Sequence, residues 1–459
     1  MDVLMQWLAQ IGAAWLQMLT QPFYYVAILI IIFIRYRQMT LERKLFAVKL
    51  YDWKQLTVKA IIYGLLAGII LSLVSVFFGT SLTIEALWWL WGAAALLSII
   101  RIRFLRYAYS AGLLVLSQWV VITFTSLAER ADWLGQAARS LAAIDGVSLL
   151  LLAALLHLVE ALFIRRQGMK LATPFILEGK RGKLIGGYRL QGFWPIPLFL
   201  LVPAANIGAS TISFGSIATA GATLPFDPLF SGSLSASWSL LAFPVMIGFS
   251  EVTISKWPEQ KLQSIIKQLY IYSAVLLVLA TLAWWQPILL PFVAVVLLLM
   301  HEVTRAWTRM QEIAQPPLYV PYNKGLHVLG VVPATPAIEL GIIPGETIVK
   351  VNNVAVNNQE ELYEALMINA AFCKLDILNR DGELRFAQRA RFAGDHHQLG
   401  VILVPHAQSN YQIVGKNSLT WLHLFKRNRT TSSRRKNNAQ PQKKNTINEN
   451  TADDTEAMK

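Results

Sequence analysis

Two stretches of the sequence carry side chains that could bind a metal or move a proton. His157 and Glu160 stand three residues apart inside an apolar run, so a helix would place them on one face. His301 and Glu302 begin like the helix of a zinc protease, but Arg305 stands where the second histidine ligand is needed. One His-Glu pair lacks a third ligand, so we predict no metal, cofactor or catalytic residue.

Other motifs that carry chemistry are missing from the sequence. It has no Gly-x-Ser-x-Gly nucleophile elbow and no glycine-rich phosphate or dinucleotide pattern. Cys373 is the only cysteine, which excludes an intrachain disulfide and a cysteine-based metal cluster. His396 and His397 follow Gly394-Asp395, where a surface turn is the simpler interpretation. We therefore expect that the protein is not an enzyme.

The clearest signal for binding is a soluble α/β pattern near the C-terminus. We predict strands at 326–332, 347–351, 372–378, 383–389 and 399–404 from their β-rich or alternating composition. A helix is expected over 359–370, because Asn358 can cap it and Glu361 completes the reciprocal capping pair. Arg380-Asp381-Gly382 is the strongest hairpin-turn signal in the chain.

The order of these elements resembles a bacterial PDZ domain. The residues that carry the resemblance are Val332-Pro333-Ala334-Thr335-Pro336-Ala337, Gly341-Ile342, Gly345-Glu346, Ile348 and Val351-Asn352. The loop that usually precedes the first strand is missing upstream of Lys324. Gln398-Leu399-Gly400-Val401 is similar to that loop moved to the far end, as in circularly permuted bacterial versions.

This resemblance implies a peptide-binding groove in which a partner adds a strand by backbone hydrogen bonding. The backbone N–H groups of Leu399, Gly400 and Val401 would meet a peptide C-terminus. Gln359, Tyr363 and Leu366 of the helix would line the groove across from them. The alternative is that 399–404 is simply a strand whose apolar side chains are buried, since exposed sheet edges are more often blocked than used.

The rest of the chain has the composition of a membrane protein. Hydrophobic residues make up 55% of the 459 residues and charged residues 15%, and the mean hydropathy is +0.45. The net charge of +14 lies mainly in short loops between apolar runs and in the C-terminal tail, which indicates topology rather than nucleic-acid binding. We predict a polytopic α-helical membrane bundle of about eight or nine spans plus a C-terminal α+β PDZ-like domain.

Two of the predicted spans are the least regular. Residues 193–218 contain Pro195, Pro197 and Pro203 with many small residues, which we interpret as a span suited to close helix packing. Residues 238–254 are predicted to cross back. Residues 269–285 and 287–300 form either two short spans or one kinked helix. Two spans would leave the N-terminus outside and the PDZ-like domain in the cytoplasm, which loop charge favours.

The predicted division has four parts: a transmembrane domain (1–303), a linker (304–322), the PDZ-like domain (323–405) and a connector with a disordered tail (406–459). The tail opens basic and closes acidic, so its basic run could touch anionic lipid, although a solvated tail is the simpler interpretation.

A bundle with a cytoplasmic PDZ-like domain resembles the MinJ family, the topological determinants of cell division in Gram-positive rods. The stretch Gln21-Pro22-Phe23-Tyr24-Tyr25 leading to Arg35-Tyr36-Arg37 and Glu42-Arg43-Lys44 is also similar to the start of that family. The resemblance implies a scaffold at poles and division septum that links a DivIVA-like scaffold to a MinD-like ATPase and to other divisome components, with homo-oligomers left open. Two alternatives are an intramembrane or membrane-tethered protease-related protein and a transporter-like bundle with a PDZ regulatory module.

Overall fold

The structure described below is a computed structural model. It describes residues 2–48, 50–100, 102–179, 183–203, 224, 228–230, 237–322, 324–369, 371–390 and 399–405. The predicted connector and tail, the histidines at 396–397 and most of the segment between 204 and 236 lie outside the described residues. We call residues 2–314 the membrane part and residues 324–405 the sheet domain.

The membrane part contains nine helices among the residues that the structure describes. They are α1 Asp2–Thr20, α2 Pro22–Phe46, α3 Trp53–Phe78, α4 Ile84–Ile100, α5 Tyr107–Thr123, α6 Trp133–Ala142, α7 Gly146–Gln167, α8 Pro258–Trp285 and α9 Leu290–Ala314. Five helical segments in this described region, based on α2, α3, α7, α8 and α9, are long and apolar enough to cross a membrane. Helices α4 and α5 are apolar but shorter, so the expected count of eight or nine spans is not confirmed.

The prediction of helical spans at 193–218 and 238–254 is wrong wherever the structure describes these residues. Three antiparallel strands occupy this region: β1 Ala172–Glu178, β2 Leu184–Pro203 and β3 Trp238–Thr253, in the order β1-β2-β3. Strands β2 and β3 pair in continuous register from Tyr188 opposite Thr253 to Pro203 opposite Trp238. A long β-hairpin thus packs within the helical bundle.

Helix α3 covers the outer edge of β2. In an antiparallel ladder alternate residues direct their backbone groups away from the partner strand, and in β2 these include Pro195 and Pro197, which have no N–H to satisfy. The next outward donor, Phe199 N–H, bonds to the Ser72 hydroxyl at 2.8 Å. Further along, Leu82 N–H donates to the Leu201 carbonyl at 3.3 Å. The prolines that suggested a broken helix therefore mark the part of β2 beyond β1, where one edge of the strand faces α3 instead of another strand.

Helix α1 covers the opposite edge of the hairpin. Gln10 Nε2 donates to the Trp238 carbonyl at 2.9 Å, and Ala242 N–H donates to Gln17 Oε1 at 3.0 Å. Pro244, the next residue directed to this side, carries no N–H. Within a membrane each unsatisfied backbone group costs several kcal/mol, so two glutamines one heptad apart explain why this largely apolar helix lies against the strand.

The sheet domain contains the elements that its local sequence predicts. Its strands are β4 Leu326–Val331, β5 Thr347–Val351, β6 Val354–Ala355, β7 Phe372–Leu378, β8 Leu384–Ala390 and β9 Val401–Leu403; its helices are α10 Pro336–Glu339 and α11 Gln359–Met367. The order is β8-β7-β5-β4-β9, with β6 beside β5. Helix α9 continues to Ala314, through about half of the segment predicted as a linker.

Candidate functional site

The residues proposed for the far wall of the groove lie on α11, but they do not all face outward. Asn358 caps the helix by accepting Glu361 N–H at 2.7 Å, as the sequence predicts. Gln359 and Tyr363 are exposed, whereas the Leu366 side chain is buried in the core of the sheet domain. Only the first two present their side chains at the surface of the domain.

The proposed carboxylate loop is tied to Val332, just after β4, and to Ala337 in α10. The Gly400 carbonyl accepts Val332 N–H at 2.8 Å, and the Leu399 carbonyl accepts Ala337 N–H at 3.0 Å. The Leu399 side chain is buried and Val401 packs partly against the same core. Gly400 has φ +85°, and a Cβ there would overlap the Thr335 side chain. Substitution of Gly400 would therefore strain the backbone, so it is not a clean test of binding.

The sheet domain docks on the membrane part through a contact that sequence reasoning missed. Arg380, in the turn between β7 and β8, lies over the Trp257 ring with its guanidinium carbon 4.2 Å from the centroid. Its Nε donates to the Pro344 carbonyl at 2.9 Å, and its Nη2 lies 3.4 Å from Glu259 Oε1. The sequence predicted the turn, but it could not predict that Arg380 in this turn contacts the start of α8.

We call the docking surface between the sheet domain and the membrane part the seam. A second set of contacts extends it beyond Arg380 and Trp257. Gly186 N–H donates to the Tyr319 carbonyl at 2.8 Å, and the Tyr188 hydroxyl donates to the Leu329 carbonyl. Four apolar side chains of the sheet domain are buried in the hydrophobic core of the membrane part: Leu329, Val332, Ile402 and Val404. The β4–β9 side of the sheet domain is thereby covered.

A carboxylate fixes the end of α9, from which the chain enters the seam. Glu312 Oε2 accepts Ile254 N–H at 3.1 Å, Ser255 N–H at 3.2 Å and the Ser255 hydroxyl at 2.7 Å. Its Oε1 lies 2.9 Å from Lys261 Nζ, and the lysine side chain is only 1% exposed. One side chain thus joins α9, the turn after β3 and the first turns of α8.

His327 is a buried titratable group within the seam. Its ring stands edge-on to Tyr319, with centroids 5.8 Å apart, and near Tyr322 at 6.2 Å. Nδ1 lies 3.4 Å from the Thr347 hydroxyl, while Nε2 has no hydrogen-bond partner among the described residues. Burial lowers the pKa of His327 from 6.5 to about 4, so the fold holds the neutral ring.

Lowering the pH should reduce the stability of the fold through protonation of His327. Because its pKa is lower in the fold than in the unfolded chain, its neutral form stabilises the fold fully above pH 6.5. That stability should be lost as the pH falls from 6.5 towards about 4, by about 3 kcal/mol in total. We expect His327→Phe to flatten the dependence of Tm on pH between about 6.5 and 5, where carboxylates contribute less. Equal slopes for the variant and the native chain would contradict this assignment.

The histidines of the membrane part that were considered as metal ligands, His157 and His301, lie together in a polar cluster. The His157 and His301 rings lie 6.0 Å apart, with Tyr272 against His157 at 4.6 Å. His157 Nδ1 lies 2.6 Å from the Ala153 carbonyl, and Arg106 Nη1 lies 2.9 Å from His301 Nε2. The encounter of His157 with His301 joins α7 to α9, which sequence spacing could not indicate.

The hydrogen bonds of this cluster hold packed helices together. Glu302 accepts the Tyr109 hydroxyl at 2.5 Å, and Ser273 of α8 donates to the Ala154 carbonyl at 2.8 Å. Glu160 is buried on α7, with Arg106 and Glu251 close enough to act on it electrostatically. Among the described residues no group of three or more histidine, cysteine or acidic side chains is placed to hold a metal ion.

Comparison with known proteins supports the resemblance drawn from the sequence. The chain is 32% identical over 252 residues to the cell division topological determinant MinJ of Bacillus subtilis (strain 168), covering 54% of this chain and 59% of that protein. It is 28% identical over 351 residues to the probable cell division topological determinants MinJ of Lacticaseibacillus paracasei and Lacticaseibacillus casei (strain BD-II), covering 74% of this chain and 84% of each. No protein-family model matches the chain. The predicted likeness to MinJ proteins is thus confirmed.

Proposed function

We propose that this chain is a multi-pass membrane scaffold of the cell-division machinery, and that residues 323–405 form its PDZ-like protein-binding domain. The observation that carries the proposal is its similarity to proteins named as topological determinants of cell division. The match spans 59% of the Bacillus subtilis relative, so the role in division is inferred from that likeness. We assign no catalytic step to it.

The arrangement of the sheet domain supports a permuted PDZ-like fold. Strand β9, the last in sequence, lies at the edge beside β4, the first strand of the domain. The loop at Leu399 and Gly400 leads into β9, as the carboxylate-binding loop would in a permuted version. A partner would then contact Gln359 and Tyr363 of α11 on the exposed side of the domain.

The charge around the seam supports a cytoplasmic position for the sheet domain. The seam lies against the first turn of α8, and the domain follows the end of α9. Lys256 precedes α8, and Lys261 and Lys267 lie in its first three turns. Short loops enriched in lysine and arginine face the cytoplasm in membrane proteins. A DivIVA-like scaffold, a MinD-like ATPase and other divisome components would then reach the domain from inside the cell, at poles and septum.

The scaffold role can be tested by localisation. A fluorescent fusion of the full chain, expressed in Bacillus subtilis lacking its own MinJ, should concentrate at septa and poles. Tyr363→Glu should weaken partner binding by about thirtyfold or more and so reduce that concentration, because a binding hot spot contributes about 2 kcal/mol or more. Phe386→Glu is the matched control, since Phe386 is an exposed aromatic residue on β8 of the same domain.

The native fusion and the Tyr363→Glu fusion test different parts of the proposal. An even distribution of the native fusion around the cell membrane would contradict the scaffold role. Septal concentration that persists in Tyr363→Glu, at equal protein levels, would keep the scaffold and remove the α11 surface from it. The protease-related alternative instead requires loss of a substrate that depends on His157 or Glu160.

A further inference from the structure

Helix α9 carries an apolar stripe that continues past its membrane-spanning stretch. Phe292 and Leu299 are exposed on the outer side of α9, as lipid-facing residues of a span are. The same side of the helix continues with four apolar side chains at spacings of four and three residues: Val303, Trp307, Met310 and Ile313. Their exposed fractions lie between 59% and 68%, so the docked sheet domain does not cover them.

The neighbouring helix α8 shows where the apolar layer of the membrane ends. Its first turns run beside the last turns of α9, since Lys261 Nζ lies 2.9 Å from Glu312 Oε1 and the Thr308 hydroxyl donates to Gln268 Oε1 at 3.4 Å. The exposed residues of α8 in this stretch are all polar: Gln260, Gln263 and Lys267. Such side chains face water or headgroups rather than hydrocarbon. The apolar stripe on the last turns of α9 therefore lies beyond the lipid tails and indicates a protein contact.

The partner that covers this stripe must cross the same boundary as α9. The stripe starts among lipid at Phe292 and ends about 32 Å further along the helix, at the level of the polar surface of α8. Lipid suits only the first part, and a water-soluble protein suits only the second. A membrane-spanning helix with apolar residues at the same depths suits both. Helix α9 of a second copy meets this condition, because all copies insert in the same orientation.

The composition of the stripe also suits pairing with itself. A two-fold axis along the membrane normal brings each residue of α9 near its own counterpart, so any charge in the stripe would meet a like charge. The exposed positions of the stripe beyond Leu299 carry no charge: Val303, Ala306, Trp307, Met310, Ile313 and Ala314. The two alanines let helices approach closely. Arg309 is exposed at the border of the stripe, about 100° around the helix from Met310.

We propose that α9 pairs in parallel with α9 of a second copy of this chain, through the stripe from Phe292 to Ile313. The resulting homodimer holds two sheet domains on the same side of the membrane. A partner that is itself oligomeric would then gain avidity from binding both domains at once. The pairing of α9 does not depend on the proposed role in division or on the groove beside α11.

Cysteine cross-linking of the full chain in its own membranes tests this pairing. In a Cys373→Ala chain, Met310→Cys should form disulfide-linked dimers under mild oxidation, because the two copies of position 310 lie close to the axis. Gln263→Cys is the matched control, since Gln263 is exposed near the same level on α8. This control chain should remain monomeric.

A charge placed in the stripe measures the strength of the pairing. Energy transfer between two fluorescent fusions of the full chain, diluted with lipid in liposomes, gives the dissociation constant of the dimer. Met310→Glu should raise that constant by about a hundredfold or more, because two carboxylates then face each other across the axis. Met310 is 66% exposed, so the variant should keep the Tm of the native chain. Gln263→Glu should leave the dissociation constant unchanged.

Three results would overturn the proposal. The first is equal dimer formation by Met310→Cys and Gln263→Cys, which would indicate random collision. The second is a cross-linked product of Met310→Cys whose mass differs from that of two copies of the chain. The third is an unchanged dissociation constant in Met310→Glu.

Discussion

Replacement of Glu312 by alanine is expected to destabilise the protein by about 3–5 kcal/mol, the cost of breaking a buried ion pair by removing one partner. The lysine left behind, Lys261, is 1% exposed and cannot recover its charge compensation from water. Ile254 N–H, Ser255 N–H and the Ser255 hydroxyl lose their acceptor in the same step. Because these groups lie beside the seam, loosening of the sheet domain should accompany the loss of stability.

Thermal unfolding and limited proteolysis of the purified full chain measure both effects. Glu339→Gln is the control, because Glu339 makes an exposed ion pair with Arg389 that should contribute about 1 kcal/mol or less. Adding Lys261→Met to Glu312→Gln should restore part of the stability, since the uncompensated charge is then absent. If Glu312→Ala unfolds at the same temperature as Glu339→Gln, the proposed anchoring role is wrong.

The second large loss of stability is expected from substitution of the α3 glycines that pack on β2. A Cβ at Gly64 would overlap the Pro195 carbonyl oxygen, and one at Gly68 would overlap the Pro197 carbonyl oxygen. Both obstacles are backbone atoms in a paired strand, so they cannot rotate aside as a side chain could. Gly64→Ala and Gly68→Ala should each cost about 3 kcal/mol or more, the upper range for overpacking.

A glycine of the neighbouring helix provides the matched control. Gly92 lies in α4, and a Cβ there meets no atom within 4 Å. Gly92→Ala should be neutral or should stabilise the chain by about 0.5–1 kcal/mol through helix propensity. The measurement is Tm in detergent together with the amount of folded protein recovered from membranes. Equal behaviour of Gly68→Ala and Gly92→Ala would contradict the close packing of α3 on the hairpin.

The sheet domain could be predicted from sequence because its signals are local. Asn358 with Glu361 starts α11, and Arg380-Asp381-Gly382 closes the β7–β8 hairpin, in which Gly382 has φ +85°. Strands β5 and β7 begin and end at the predicted residues. Each signal acts within a few residues and needs no knowledge of the rest of the chain.

The hairpin in the membrane part was missed because length and hydropathy do not distinguish a buried strand from a helix. The apolar stretch that begins at Phe193 is hydrophobic enough for a span in either form, and Pro195 and Pro197 were interpreted as helix breakers. Their spacing of two contained the useful signal, since alternate residues of a strand share one edge. The glycines and Ser72 of α3, which receive that edge, are more than a hundred residues away in sequence.

The candidate binding site was predictable only in part. Sequence pattern placed Gln359, Tyr363 and Leu366 on one helix, but only the fold determines that Leu366 is buried. The seam joins Arg380 to Trp257 and Tyr188 to Leu329, residues that are 123 and 141 positions apart. No local pattern specifies such contacts, because they depend on how two folded units meet.

The side of the membrane on which the sheet domain lies tests the account most directly. Cys373 is buried and is the only cysteine, so a Cys373→Ala chain can carry single reporter cysteines at Tyr363 and, between α5 and α7, at the exposed Trp133. In intact cells a membrane-impermeant maleimide should label the Trp133→Cys chain, whereas Tyr363→Cys should react only after the membrane is opened. Labelling of Tyr363→Cys in intact cells would place the domain outside, beyond the reach of cytoplasmic division proteins, and would contradict the proposed scaffold.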